Sequence, residues 1–268
     1  MVKSSIHDFK EKDIDYVKKL IRSKTPVNII RKKTRLDYND ILFLIKENNL
    51  TINNRELAQY SINDSRFLVI ADNHLGSKYE YRKYVDIVYN YAVVNNIRVI
   101  LHAGDAIQGI IEPNKYDLYK QVDYFVRFYP RAESITTYML CGNHEFRSFK
   151  YNDEAFNEMF SRKDVKYLGF SKAYLLFHNN FISLSHHITK YYIDIPYVSS
   201  FIVFAGHHHY LKVDKNQIYV PTLSRDYKKK GTKPGFLEVI KDGNNVIVES
   251  KEVNNRVGDK GIIFRKRI

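Results

Sequence analysis

Residues 66–74 read Arg66-Phe67-Leu68-Val69-Ile70-Ala71-Asp72-Asn73-His74, an apolar run that stops at a cluster of polar side chains. Five apolar residues without alternation are what a strand covered on both faces requires. The pattern then repeats. Arg98-Val99-Ile100-Leu101 leads into His102-Ala103-Gly104-Asp105, and residues 136–141 lead into Gly142-Asn143-His144-Glu145. Between these runs, residues 79–95 and 116–129 carry apolar side chains at helical spacing. Strand and helix in that alternation, a βαβαβ beginning, imply an α/β protein: parallel strands, helices on the faces and right-handed crossovers.

Downstream, after a helix expected near residues 152–160, the texture turns β-rich: 173–177, 181–185, 201–205, 217–220 and a hairpin through Asp242-Gly243. Upstream, residues 10–49 fit three short helices, marked by Val17, Leu20 and Ile21, then Val27, Ile29 and Ile30, then Ile41, Leu42, Leu44 and Ile45. Pro26 suits a first helical turn, and Asp37 with Asp40 three residues on suits the cap of the third helix. The arrangement resembles a helix-turn-helix with the basic stretch Arg31-Lys32-Lys33-Thr34-Arg35 between its second and third helices. It equally describes a small bundle packed on the rest of the chain or on another chain. Residues 50–65, with Asn53-Asn54 and Asn63-Asp64-Ser65, read as a polar connection. The expected division is a small helical segment, 1–60, ahead of a larger domain, 66–268.

The 268 residues, 44% hydrophobic with only 6 prolines, can bury a sizeable core. No apolar run approaches the roughly 18 residues of a membrane span, and Met1-Val2-Lys3-Ser4-Ser5 opens no signal core, so a soluble, cytoplasmic protein is expected with no membrane partner. The single Cys141 follows Tyr138-Met139-Leu140 and reads as a small core hydrophobe. Lysine and arginine number 43 against 30 acidic residues, a net +13 that favours a polyanion or a phosphorylated ligand. Lys228-Lys229-Lys230 and Arg265-Lys266-Arg267 concentrate this charge toward the C-terminus, although a charge run is usually a solvated face.

Two further runs end as the first three do, in Ser185-His186-His187 and in Gly206-His207-His208-His209. In an open α/β sheet the carboxyl ends of the strands form the ligand crevice, so five clusters far apart in sequence converge on one site. Carboxylates, one amide oxygen and several imidazoles suit Mn, Fe, Zn, Co or Ni and argue against a thiolate-bound structural zinc. The set is too large for one ion. Two ions about 3.5–4 Å apart, sharing a bridging carboxylate, are the recognised arrangement for phosphoester hydrolysis.

At these residues the chain resembles the calcineurin-like metallophosphoesterase superfamily, whose signatures are Asp-x-His, Gly-Asp, Gly-Asn-His-Asp/Glu, a lone His after a strand, and Gly-His-x-His. All five occur in order between Asp72 and His209, and the likeness covers about residues 66–240. It implies a β-sandwich flanked by helices and a pair of divalent ions, manganese first among them. It further implies that Asp72, His74 and His209 bind one ion, that Asn143, His207 and the lone His bind the other, and that Asp105 bridges the two. His144 is then the catalytic residue, beside the substrate, donating a proton to the leaving oxygen or stabilising it. His186 and His187 are adjacent and point to opposite faces of a strand; His186, directly after the strand, is the expected ligand. His7, His102, His178 and His208 keep the ordinary reading of surface or satisfied core residues.

Ser/Thr phosphatases of the superfamily extend the second signature to Gly-Asp-x-Val-Asp-Arg-Gly, in which the later Asp orients the catalytic His and the Arg binds phosphate. Here the stretch is Gly104-Asp105-Ala106-Ile107-Gln108-Gly109, which lacks both, and a protein phosphatase is discounted. Gln108 is left as a possible partner of His144. The leading expectation is a phosphodiesterase or nuclease acting on DNA or RNA. Its alternatives are an enzyme for small nucleotides or other small phosphoesters, and a binding or assembly subunit that retains the fold without the chemistry.

Overall fold

A computed structural model describes residues 9–188, 195, 198–225 and 233–268, which leaves His7 and Lys228-Lys229-Lys230 outside the described residues. Three helices come first: α1 (Glu11–Arg22), α2 (Val27–Thr34) and α3 (Tyr38–Glu47). Each buries the stripe its spacing marks, including Val17, Leu20 and Ile21 on α1, Val27 and Ile30 on α2, and Ile41, Leu42, Leu44 and Ile45 on α3. Asp37 and Asp40 form a capping box at the start of α3, the Asp40 carboxylate accepting the Asp37 N–H at 3.2 Å. Tyr38, Asn39 and Asp40 are buried as well, so α3 shows solvent only at Phe43, Lys46 and Glu47. The basic stretch lies elsewhere than expected. Arg31 to Thr34 form the last turn of α2, and Arg35 ends that helix in the left-handed region at φ 62°.

The expected polar connection holds α4 (Asn54–Leu57) and β1 (Tyr60–Ile62), a strand whose pairing is long-range and has no local signature. The expected alternation follows as β2 (Arg66–Ile70), α5 (Arg82–Val94), β3 (Val99–Ala103), α6 (Leu118–Phe128) and β4 (Thr136–Cys141). An additional helix, α7 (Asn143–Tyr151), opens directly on the third polar cluster, and a 3-10 turn with α8 (Asn157–Ser161) occupies the region expected to be helical. The strands after it are β5 (Val165–Phe170), β6 (Lys172–Phe177), β7 (Asn180–Ser185), β8 (Ile202–Ala205), β9 (Lys212–Asp214), β10 (Gln217–Tyr219), β11 (Gly235–Asp242), β12 (Asn245–Val253) and β13 (Val257–Arg267).

These strands make two sheets, ordered β13-β12-β11-β2-β3-β4-β5 and β1-β6-β7-β8-β10-β9. In the first, β2 to β5 run parallel; in the second, β7 and β8 run parallel. The alternation of side chains along β2 explains its unbroken apolar run. Phe67 and Val69 face the second sheet, meeting Leu175, Ile182, Leu184 and Phe204, while Leu68 and Ile70 face outward onto Val85 and Val88 of α5 and Val122 and Phe125 of α6. The outer face of the second sheet carries Tyr174 and Phe181, stacked with centroids 5.0 Å apart, and these join the core of α1 to α3. The result is a two-sheet sandwich with helices on both outer faces. Among the described residues no helix is long and apolar enough to cross a membrane.

Candidate metal centre

Every residue expected at the site sits just beyond a strand. Asp72 and His74 follow β2, Asp105 follows β3, Asn143 and His144 open α7 behind β4, His186 follows β7, and His207 and His209 follow β8. Five of them take left-handed backbone: Asp72 at φ 57°, His74 at 48°, Asp105 at 56°, His207 at 79° and His209 at 65°. Such a conformation costs on the order of 1–3 kcal/mol per non-glycine residue. The surrounding hydrogen bonds hold it. Asp72 N–H donates to Gly104 O at 2.9 Å, His74 N–H to Asp105 O at 3.1 Å, and the Thr222 hydroxyl to Asp72 O at 2.7 Å. The loops also pack too closely for side chains at two glycines, since a Cβ on Gly104 would enter the His186 ring and one on Gly142 the Asp105 carboxylate.

The donor atoms fall into two sets. In one, His209 Nε2 lies 3.3 Å from Asp72 Oδ1 and 3.1 Å from His74 Nε2. In the other, Asn143 Oδ1 lies 2.8 Å from His207 Nδ1 and 3.1 Å from His186 Nε2. Asp105 Oδ2 stands between them, 3.0 Å from His186 Nε2 and 3.9 Å from His74 Nε2. Asp72, His74 and His209 offer atoms all within 4.8 Å of one another, and so do Asp105, His186 and His207, while His144 makes a third such group with His74 and Asp105. Two imidazole nitrogens aimed at one point and an amide oxygen shared by two imidazoles are what a divalent cation requires of its surroundings. The residues fit a metal ion.

Of the adjacent pair, His186 is buried and its Nδ1–H donates to Ala103 O at 2.7 Å, which turns Nε2 into the site. His187 is exposed, with its ring centroid 5.6 Å from that of His207. His144 is oriented in the same manner. Its Nδ1–H donates to the backbone carbonyl of Gln108 at 2.8 Å, leaving Nε2 3.9 Å from Asp105 Oδ2. The partner that the sequence left open at Gln108 is thus the main chain. Of the other histidines, His102 lies buried behind the site and accepts the Gly104 N–H on Nδ1, His178 is at the β6–β7 turn, and His208 packs its ring on Tyr219.

Burial would raise the Asp105 carboxyl, but His186, His144 and His74 outweigh it and hold the group well below the usual carboxylate range. Burial works against charge on His186 too, yet Asp105 beside it keeps the imidazolium up to about 9. Burial, followed by the charge of His144, pushes His74 well below its ordinary value; burial and then His186 bring His207 to about 4. In the chain alone, a proton on His186 therefore neutralises Asp105. Burial also lifts Cys141, which lies among Phe146, Phe170 and Ile188 as the small hydrophobe it was expected to be.

Two participants had no role assigned from the sequence. Glu145 is fully buried and accepts N–H groups of Asp105 at 3.1 Å, Ile107 at 2.8 Å and Gly142 at 2.8 Å, joining the second and third motif loops. Burial and Asp105 push its carboxyl up to about 7. Thr222, which fixes the Asp72 carbonyl, comes from a loop after β10 with no motif around it.

A sandwich of two sheets with Asp, Asn and His side chains gathered at its strand ends defines a metal-binding α/β protein, and the comparison with known families makes that specific. The calcineurin-like phosphoesterase profile matches residues 65–248, and the chain belongs to that family. Similar solved structures include a wild-type Vps29 complexed with zinc from Entamoeba histolytica, at 14% identity and TM-score 0.44, covering 75% of this chain and 98% of that one. A phosphoesterase from E. coli, YfcE, gives 14% identity and TM-score 0.44 over 76% and 99%. Vacuolar protein sorting 29 from Cryptosporidium parvum gives 13% and 0.44 over 76% and 98%. Among curated proteins, none matches the sequence.

Proposed function

We propose that the protein is a phosphodiesterase dependent on two divalent ions, manganese first among the candidates, with nucleic acid as its substrate. The observation that carries this reading is the division of six donors into two sets around a seventh, Asp105 Oδ2, 3.0 Å from His186 and 3.9 Å from His74. Asp72, His74 and His209 would hold one ion and Asn143, His186 and His207 the other, with the Asp105 carboxylate placed between the two sets. Bound divalent ions polarise phosphoryl oxygens and lower the pKa of water toward neutrality.

The chain's own part is proton transfer and orientation. His144, fixed through Nδ1 by Gln108 O, presents Nε2 to the substrate, and the leaving oxygen takes its proton as the P–O bond breaks. Glu145 keeps the loops bearing Asp105 and Asn143 in register. The net charge of +13 supports a polyanionic substrate. A recognition helix in a groove does not, because α3, which would hold that place, is buried on nearly every side. The second reading, a small phosphoester substrate, draws on the same site.

Hydrolysis of bis(p-nitrophenyl) phosphate, p-nitrophenyl phosphate, single-stranded DNA and single-stranded RNA, each with Mn²⁺ and with EDTA, tests the proposal. Diester and polynucleotide turnover abolished by EDTA is the expected result. Turnover confined to the small esters would move the substrate to the second reading, and none at all would make the protein a binding or assembly subunit.

A further inference from the structure

At the edge of the second sheet, α2 and the start of β1 enclose a cleft of about 560 Å³ walled by Asn28, Arg31, Lys32, Arg35, Gln59 and Tyr60. A volume of this size, within the roughly 300–1,000 Å³ of ligand pockets, exceeds what a bare inorganic anion fills. Its cations are arranged in two ways. Arg31 is fixed: its Nη1–H donates to Gln59 Oε1 at 3.1 Å, and Gln59 is itself anchored by donating Nε2–H to Leu168 O at 2.7 Å. Lys32 and Arg35 are exposed on the wall, and among the described residues neither has a carboxylate partner. The one acid at the cleft, Asp37, is turned into the first turn of α3 as its cap, 4.0 Å from Arg31. Tyr60 supplies a flat aromatic surface, backed by Tyr138 with centroids 4.9 Å apart.

The position of this cleft follows from strand register. Tyr60 on β1 pairs with Leu175 on β6, and Leu175 with Ile182 on β7, four residues before His186. The sense of the strands puts the start of β1 at the same end of the sandwich as the carboxyl end of β7. Two interstrand steps of about 4.8 Å and four residues of about 3.3 Å separate Tyr60 from His186 by about 16 Å. One strand of nucleic acid covers that span in roughly five nucleotides even at the 3.4 Å axial spacing of a duplex.

We infer that this cleft is a second phosphate subsite, which holds the backbone of a polynucleotide through Arg31, Lys32 and Arg35, with a base against Tyr60, while a phosphodiester about five nucleotides away lies at the metal centre. The inference rests on the nucleic-acid reading above. It names where the chain of the substrate runs: from the ends of β7 and β8, past the start of β6, to α2. Neutral stacking with positive charge is the chemistry by which single strands are held without regard to sequence.

The test uses the full chain with Mn²⁺, single-stranded oligonucleotides of two and about ten nucleotides, and the double variant Lys32→Gln/Arg35→Gln, with a melting curve to show that it is folded. In the wild type, KM should fall by an order of magnitude or more as the chain lengthens from two to ten. In the variant this gain should vanish, and the salt dependence of decanucleotide binding should lose about 1.4 in log–log slope, about 0.7 for each phosphate contact removed. If wild type and variant gain equally from length and share one salt slope, the cleft is not a subsite, whatever the enzyme's activity. Turnover of bis(p-nitrophenyl) phosphate by the wild type reports on the metal centre separately. Its presence alongside an unchanged variant overturns this inference alone, whereas its absence overturns the catalytic reading.

Discussion

His144 donates its Nδ1–H to Gln108 O and its backbone N–H to Asp105 Oδ1 at 3.0 Å, with Nε2 3.9 Å from Asp105 Oδ2; in the proposed assignment its ring holds no ion, and the backbone contact survives loss of the side chain. His144→Ala should therefore keep the bound ions, measured by metal analysis, and lose roughly 10²–10⁴ in turnover. The loss should be smaller with p-nitrophenolate as leaving group, which needs no proton, than with an alkoxide; equal losses would remove the proton-donor role. For the adjacent pair, His186→Ala should abolish one of two binding steps in a metal titration and His187→Ala should abolish neither, because only the first is buried against Asp105 and Asn143. Most of this constellation was readable because each donor directly follows an apolar run, and strand ends are where α/β sheets assemble sites. Glu145 was present in a motif but mute. Its role consists of accepting N–H groups from two separate loops, and no residue pattern records which backbone amides will surround a carboxylate.

The front helices act as a lid on the second sheet's outer face, where Tyr174 and Phe181 are covered by α1 to α3. Tyr38 is the keystone: fully buried, with its hydroxyl donating to Leu57 O at 3.0 Å. Replacing it by alanine should destabilise the protein by about 3–5 kcal/mol, the usual range for a large aromatic, in a chemical denaturation experiment. A smaller loss than about 1 kcal/mol would mean that the helices contribute little to this core. Helix periodicity announced α1 to α3, and unbroken apolar runs announced β2 and β3, with β4 expected as the third strand of the same alternation. The elements that escaped were of other kinds. β1 is three residues long and exists only because β6 lies beside it, β13 is an edge strand half exposed with little alternation, and the start of α7 was taken up by motif residues.

Over the whole molecule, the metal centre links folding to pH. His186, held at about 9 against its ordinary 6.5, stabilises the folded chain fully below pH 6.5, and this contribution is lost as pH rises through 9. A bound ion requires the neutral imidazole, so it must displace that proton. Two trends of opposite sign follow: with EDTA the melting temperature should fall between pH 6.5 and 9, while metal affinity should rise over the same interval. Calorimetry across that range checks both, and a metal affinity flat with pH would show that His186 carries no proton there.

The two sets of donors do not come from one layer. Asp72, His74, Asp105 and Asn143 hang from the ends of β2 to β4, while His186, His207 and His209 hang from β7 and β8, on the facing sheet. Any ion taken by these side chains is thus a bolt through both plates of the sandwich, at the end where the chain is bent into its least comfortable turns. With the bolt in place, sliding of one plate over the other is blocked at that end and left to side-chain packing at the opposite one. Amide exchange should record the difference as slow exchange around residues 72–74, 104–106 and 206–209 in manganese. In EDTA, exchange should be faster at these same loops, with the strand centres unchanged.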